Sequence, residues 1–162
     1  MQIRLASEAD IDELHRIRLS VRENRLRHTA KVRPANYRRM LTENGRGWVV
    51  EVGDRIVGFA IGDLSRANVW ALFVDPDFEG RGVGRSLHDM TVSWLFEAGA
   101  DRIWLSTDPG TRAERFYEAA GWRLSRVENG EAYFELLRQD WLARSDDRNA
   151  PGKSLQRTPG RA

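Results

Sequence analysis

The chain has 162 residues, 41% hydrophobic, 31% charged and 9% aromatic, a composition suited to one globular domain with a modest core. It contains no cysteine, which excludes disulfide scaffolds, Cys-type zinc and iron–sulfur sites and every thiol nucleophile. Lys and Arg number 26 against 24 Asp and Glu; residues 143–162 hold five basic and two acidic side chains, so residues 1–142 hold 21 against 22 and advertise no polyanion partner.

No stretch approaches the roughly 18 consecutive apolar residues of a membrane span, and the N-terminus lacks the basic-then-apolar pattern of a signal peptide. A cytoplasmic protein without a membrane partner is expected. In chain order, Gln2-Ile3-Arg4-Leu5-Ala6 alternates as a strand, and Ser7-Glu8-Ala9-Asp10 brings helix-capping chemistry. Ile11, Leu14, Ile17, Arg18 and Val21 then fall on one helical stripe. Pro34 starts a second helix that ends before Asn44-Gly45. Three strands follow, Trp48–Val52, Arg55–Ile61 and Val69–Val74, with Gly53-Asp54 as a tight first connection.

A helix is predicted from Ser86 to Ala98, closed by Gly99, then a strand at Arg102–Ser106 and a helix at Thr111–Ala120 ended by Gly121. Two strands, Trp122–Glu128 and Glu131–Leu137, form a hairpin around Asn129-Gly130. Residues 1–142 are expected as a single domain. From Ala143 onward hydrophobic residues nearly vanish, and residues 143–162 are expected as a flexible basic tail.

The segment richest in chemistry is Phe73-Val74-Asp75-Pro76-Asp77-Phe78-Glu79-Gly80-Arg81-Gly82-Val83-Gly84-Arg85-Ser86-Leu87, a strand, a turn, three alternating glycines and a helix start. Unpaired amides at a helix N-terminus and the positive end of its dipole form an anion site, and glycine lets phosphate oxygens approach the backbone. A dinucleotide fingerprint would need glycine at Arg85 or Leu87, and a P-loop would need lysine at Arg85 and glycine at Glu79, so neither frame fits.

The loop instead resembles the R/Q-x-x-G-x-G/A loop of the GNAT superfamily of acyl-CoA-dependent N-acetyltransferases, with Gly82 and Gly84 as its two glycines. Leu72-Phe73-Val74-Asp75-Pro76 is similar to that family's strand-to-turn entry. Ala113-Glu114-Arg115-Phe116-Tyr117-Glu118-Ala119-Ala120-Gly121-Trp122 is similar to its A-x-x-F-Y-x-x-x-G-[FW] helix and turn. The resemblance covers roughly Gln2 to Leu137. It implies an α/β fold of α+β type, a mixed and mostly antiparallel seven-stranded sheet flanked by about four helices, in the order β-α-α-β-β-β-α-β-α-β-β.

The resemblance also implies an activity: transfer of acetyl from acetyl-CoA to a primary amine of a small molecule or peptide, by direct attack without a covalent intermediate. The pyrophosphate of the cosubstrate would rest on the loop at Arg81, Gly82, Val83, Gly84, Arg85 and Ser86. Its pantetheine arm would pair with the strand edge Leu72, Phe73 and Val74. Tyr117 matches the family tyrosine that protonates the departing thiolate. Homodimers are common in the family. No metal is implied, and His15, His28 and His88 lack ligand spacing.

Three positions depart from the family pattern. Glu79 stands for Gln or Arg, Asn68 for a glutamate base, and Gly110 for an asparagine. The Asn68 departure leaves open the alternative of a catalytically weak CoA-binding sensor or protein-interaction module. The stretch His15 to Arg39 holds Arg16, Arg18, Arg22, Arg25, Arg27, Lys31, Arg33, Arg38 and Arg39 against Glu23. It reads either as a solvated helical face or as a rim for an anionic acceptor or the 3′-phosphate of CoA. The six tryptophans form no stacking platform with basic interleaving, so nucleic acid is not an expected partner.

Overall fold

The computed structural model describes residues 1–21 and 32–150. In chain order they form β1 (Gln2–Leu5), α1 (Ile11–Ser20), α2 (Pro34–Arg39), β2 (Gly45–Val52), β3 (Arg55–Asp63) and β4 (Asn68–Val74). There follow α3 (Val83–Glu97), β5 (Arg102–Thr107), α4 (Arg112–Ala119), β6 (Arg123–Glu128), β7 (Glu131–Leu137) and α5 (Arg138–Asn149). The seven strands make one sheet in the order β1-β2-β3-β4-β5-β7-β6, antiparallel throughout except between β4 and β5. The expected class and element order hold, with one helix added at the end.

Each sheet face has its own apolar layer. The α1 stripe of Ile11, Leu14 and Ile17 joins Tyr37 of α2 and packs on Val49, Phe59 and Ile61. On the opposite face Trp48, Val50 and Ala60 meet Val83 and Leu87 of α3. The alternation of Trp48, Val49 and Val50 between the two layers is the period-two consequence of the pleat. A third cluster joins Val92, Leu95 and Phe96 of α3 to Leu105, Phe134, Tyr117, Trp122 and Trp141.

β2 begins at Gly45 rather than Trp48, β3 runs on to Asp63 and α1 ends at Ser20, before Val21, and three further boundaries differ from the sequence expectation with more consequence. The α3 helix starts at Val83 rather than Ser86, because Gly82 takes the left-handed N-cap conformation at φ 83° and releases the chain into the helix immediately. The second helix is cut short at Arg39 and continues as a π-helical turn over Met40–Asn44. The chain does not leave the fold at Ala143. Trp141 is buried, and Arg144 donates to the Ala119 carbonyl at 2.8 Å, so α5 runs on to Asn149 as part of the packed body. The hairpin at Asn129-Gly130 has positive φ at both residues, 51° and 75°, as a type I′ turn requires. Among the described residues no helix is long and apolar enough to cross a membrane.

Candidate functional site

Parallel strands β4 and β5 touch at one end and part. Asn68 pairs with Trp104, and no other β4–β5 pair is found among the described residues. Asn68 itself holds this junction, its Nδ2 donating to the Trp104 carbonyl at 3.0 Å, while the Trp104 amide donates to Ala67 at 3.0 Å. The amide therefore serves as a strut where a base would be sought. Beyond it, the edge of β4 is bonded to β3 on one side and open on the other.

Two cavities occupy this opening. The first, about 440 Å³, is bounded by Leu72, Phe73 and Val74 of β4, by Phe78, Glu79, Gly80, Gly82, Gly84 and Arg85 of the loop, and by Arg112, Ala113, Phe116 and Tyr117 of α4. The second, about 320 Å³, lies between β4 and β5 and includes Arg18, Asn68, Trp70, Trp104, Glu131 and Tyr133. Leu72, Phe73, Ala113 and Tyr117 line both. These four residues form the boundary that the two cavities share.

The loop is anchored at its start by Asp75. Asp75 accepts from the Asp77 amide at 3.0 Å and pairs with Arg55 at 2.6 Å and Arg16 at 3.4 Å. Burial alone would raise its carboxyl; the Asp77 amide and the two guanidinium groups outweigh that and keep it below the usual carboxylate range. A Cβ added at Gly80 or Gly82 would meet nothing within 4 Å, so the space over these glycines is open to a ligand. The amides of Gly82, Val83, Gly84 and Arg85 belong to the first turn of α3, where no carbonyl precedes them in the helix. That is the chemistry of an anion cradle.

The sequence-derived residues divide in this geometry. Leu72, Phe73, Val74, Gly82, Gly84, Arg85 and Tyr117 line the first cavity. Val83 spends its side chain on the core, and Arg81 lies over the Phe78 ring at 4.9 Å from its centroid. Ser86 is exposed, and its amide already donates to the Gly82 carbonyl at 3.1 Å. Glu79, a departure from the family pattern, forms an ion pair of 2.9 Å with Arg112, so its charge is met from across the cavity. Gly110 has φ 73°, and its amide donates to Glu114 at 2.6 Å; Thr111 caps α4 and donates to the Asp108 carbonyl.

Tyr117 is 7% exposed, and burial pushes its phenol well above the usual value, so it holds its proton throughout the neutral range. Sequence reasoning missed Phe78, Arg112, Phe116 and Glu131, whose positions in the walls depend on tertiary contacts between distant segments. Of the basic stretch, Arg16 braces Asp75 and Arg18 enters the second cavity. Arg38 and Arg39 pair at the surface with Glu8 and Glu43. Arg22, Glu23, Arg25, Arg27, His28 and Lys31 lie outside the described residues. Among the described residues no group of three or more His, Asp or Glu is placed to hold a metal ion.

Comparison with known proteins is consistent in kind. A family model for the acetyltransferase (GNAT) family matches residues 10–122. An uncharacterised ycf52-like N-acetyltransferase of Prochlorococcus marinus is 32% identical over 83 residues, 49% of this chain and 45% of that protein. Mycothiol acetyltransferase of Propionibacterium freudenreichii is 40% identical over 68 residues, 41% of this chain and 22% of that protein. The match thus spans less than half the length of either relative. The crystal structure of PaiA N-acetyltransferase from Thermoplasma acidophilum in complex with coenzyme A superposes with a TM-score of 0.65 at 11% identity, over 85% of this chain and 99% of that one.

Proposed function

The chain belongs to the acetyltransferase (GNAT) family, and on that premise we propose that it transfers an acetyl group from acetyl-CoA to a primary amine. The observation that carries the reading is that the two cavities adjoin where β4 and β5 part, with Tyr117 in the wall of both. A thioester lying along the first cavity and an amine entering the second approach each other at that shared boundary. Acetyl-CoA supplies an activated acyl group and a phosphate-rich handle.

The residues present fit such a molecule. The first-turn amides of α3 and the Arg85 guanidinium receive its phosphates. The open edge of β4 at Leu72, Phe73 and Val74 offers backbone groups to its amides, in the manner of an added strand. The same edge offers an N–H to the oxygen that gains charge as the amine attacks. Tyr117 donates its phenolic proton to the departing thiolate, and the proton shed by the newly acylated nitrogen restores the phenol, which burial keeps protonated between turnovers. The Glu131 carboxylate in the second cavity attracts the incoming ammonium group, which gives one proton to water so that its nitrogen attacks as the neutral amine. Direct attack needs no nucleophile from the protein, which suits a chain without cysteine.

The test is isothermal titration of the protein with acetyl-CoA, followed by free-thiol detection across a panel of primary amines. Binding with amine-dependent thiol release supports the reading. Absence of acetyl-CoA binding overturns it, and tight binding with no thiol release from any amine points to the CoA-sensing alternative.

A further inference from the structure

Arg18 occupies a position where a helix of this kind ordinarily carries an apolar side chain. It follows Leu14 by one turn and Ile17 by one residue on the stripe of α1 that faces the sheet, and it is 5% exposed. Its guanidinium lies 4.8 Å from the ring centroid of Phe73 and 5.3 Å from that of Trp70. Nε and Nη1 have no hydrogen-bond partner among the described residues, and no described carboxylate forms an ion pair with it. Burial works against its charge, and the Tyr37 hydroxyl beside it offsets this only in part. An arginine serves packing poorly in such a place.

The side chain forms part of the wall of the second cavity, and Phe73, on which it rests, lines both cavities. The same cavity contains Glu131, whose carboxylate accepts from the Tyr133 hydroxyl at 3.1 Å, and the aromatic rings of Trp70 and Trp104. The wall of the cleft therefore combines an anionic side chain with a buried cation whose Nε and Nη1 have no partner among the described residues, each able to form a parallel pair of donors with Nη2. A guanidinium fork matches a carboxylate with parallel N–H donors, and that pairing strengthens where water is excluded.

We propose that the acceptor is a primary amine that also carries a carboxylate, and that Arg18 is the specificity residue receiving it. The inference rests on the acetyl-transfer reading above and names the acceptor class for the same site. A free amino acid and an acidic residue at a peptide N-terminus share this chemistry, and the experiment separates them.

Thiol release is measured for wild type, Arg18→Met and Arg18→Lys with acetyl-CoA and matched acceptors. One pair is γ-aminobutyrate against n-butylamine. The other is an amidated peptide starting with aspartate against its asparagine counterpart. Wild type is expected to favour the carboxylate-bearing member of at least one pair by about tenfold or more in kcat/KM, mainly through KM. Which pair responds identifies the source of the carboxylate. Arg18→Met should bring that ratio close to one, and Arg18→Lys should restore part of it. The Tm of Arg18→Met should hold or rise, because a buried charge with no ion-pair partner among the described residues is replaced by a side chain of similar length.

A wild-type ratio near one, a preference unchanged in Arg18→Met, or no acetylation of any carboxylate-bearing amine despite bound acetyl-CoA overturns the proposal. So does a fall in Tm shared by Arg18→Met and Glu23→Gln that does not deepen in the double variant, since that assigns the guanidinium to an internal ion pair. Absence of acetyl-CoA binding in wild type is a separate failure, that of the transferase reading.

Discussion

The indole N–H of Trp122 donates to Nε2 of His88 at 2.9 Å, with His88 2% exposed. An indole only donates, so Nε2 accepts and the ring proton sits on Nδ1, which donates to Asp89 at 2.8 Å. Asp89 is bound in turn by Arg148 of α5 at 3.2 Å. The chain of contacts pins α3, the turn after α4 and α5 together behind Tyr117, whose ring centroid is 6.3 Å from that of His88. Trp122→Phe keeps most of the packing and strands a buried acceptor. It should cost roughly 1–3 kcal/mol in urea unfolding. A loss below about 0.5 kcal/mol, the scale of an ordinary surface substitution, would remove the bond from any account of stability.

Gly82 and Gly84 stand two residues apart and should answer substitution differently. Gly82 is left-handed, so Gly82→Ala forces a Cβ into a conformation that costs about 1–2 kcal/mol and lowers Tm. Gly84 lies within α3 at ordinary torsion angles, and an added Cβ would sit 3.5 Å from Val74 Cγ2 in normal contact. Gly84→Ala should leave stability unchanged or raise it by about 0.5–1 kcal/mol. Gly84→Trp projects an indole into the first cavity, and calorimetry should show acetyl-CoA binding lost while far-UV dichroism is retained. Undiminished binding would move the phosphate site away from the loop.

Asp75 gives the fold a dependence on pH with a definite sign. Its carboxyl is held below its unfolded value by the Asp77 amide, Arg55 and Arg16, against the opposing effect of burial. Asp10 is held low first by its hydrogen bonds from Arg4 at 2.9 Å. A depressed carboxyl binds fewer protons in the folded state, so its contribution is complete above the unfolded value near 4 and fades as the pH falls through the folded one. Urea midpoints should therefore be flat from pH 7 to about 5 and drop below about 4. Asp75→Asn should lower stability at pH 7 by about 1–3 kcal/mol, since both arginine partners are partly exposed, and should shrink the acid-dependent part of the curve. An unchanged acid limb in the variant would assign it to other carboxylates.

The elements that depend on local pattern were legible from the sequence: Asn129-Gly130 as a hairpin turn, the α1 stripe, and the strand, glycine loop and helix from Phe73 to Leu87. The start of α3 was read late because a left-handed Gly82 serves as N-cap without any polar capping side chain. The last helix escaped because Arg138–Asn149 is mostly polar, and its anchors are Trp141 and the contact of Arg144 with Ala119, a partner 25 positions earlier. In the site, the loop and Tyr117 could be named, yet the roles of Asn68 as a strut and of Glu79 as the partner of Arg112 could not. Both depend on which residues the sheet brings opposite, and no spacing rule along the chain encodes that.

Tyr117 separates a catalyst from a bystander. Its phenol is buried in the wall shared by the two cavities, beside which a thiolate leaving the first cavity would form. Tyr117→Phe keeps the ring and its contacts with Phe116 and Trp122 and removes only the hydroxyl. A positioned acid is worth roughly 10²–10⁴-fold in rate, so kcat should fall by that order while the Kd for acetyl-CoA changes little. Because burial raises the phenol above its ordinary value near 10, the wild-type kcat profile should show no loss attributable to Tyr117 below about pH 10. A kcat near wild type in the variant, with chemistry rate-limiting, would assign protonation of the thiolate to water. A large rise in Kd at constant kcat would instead make Tyr117 part of the binding wall alone.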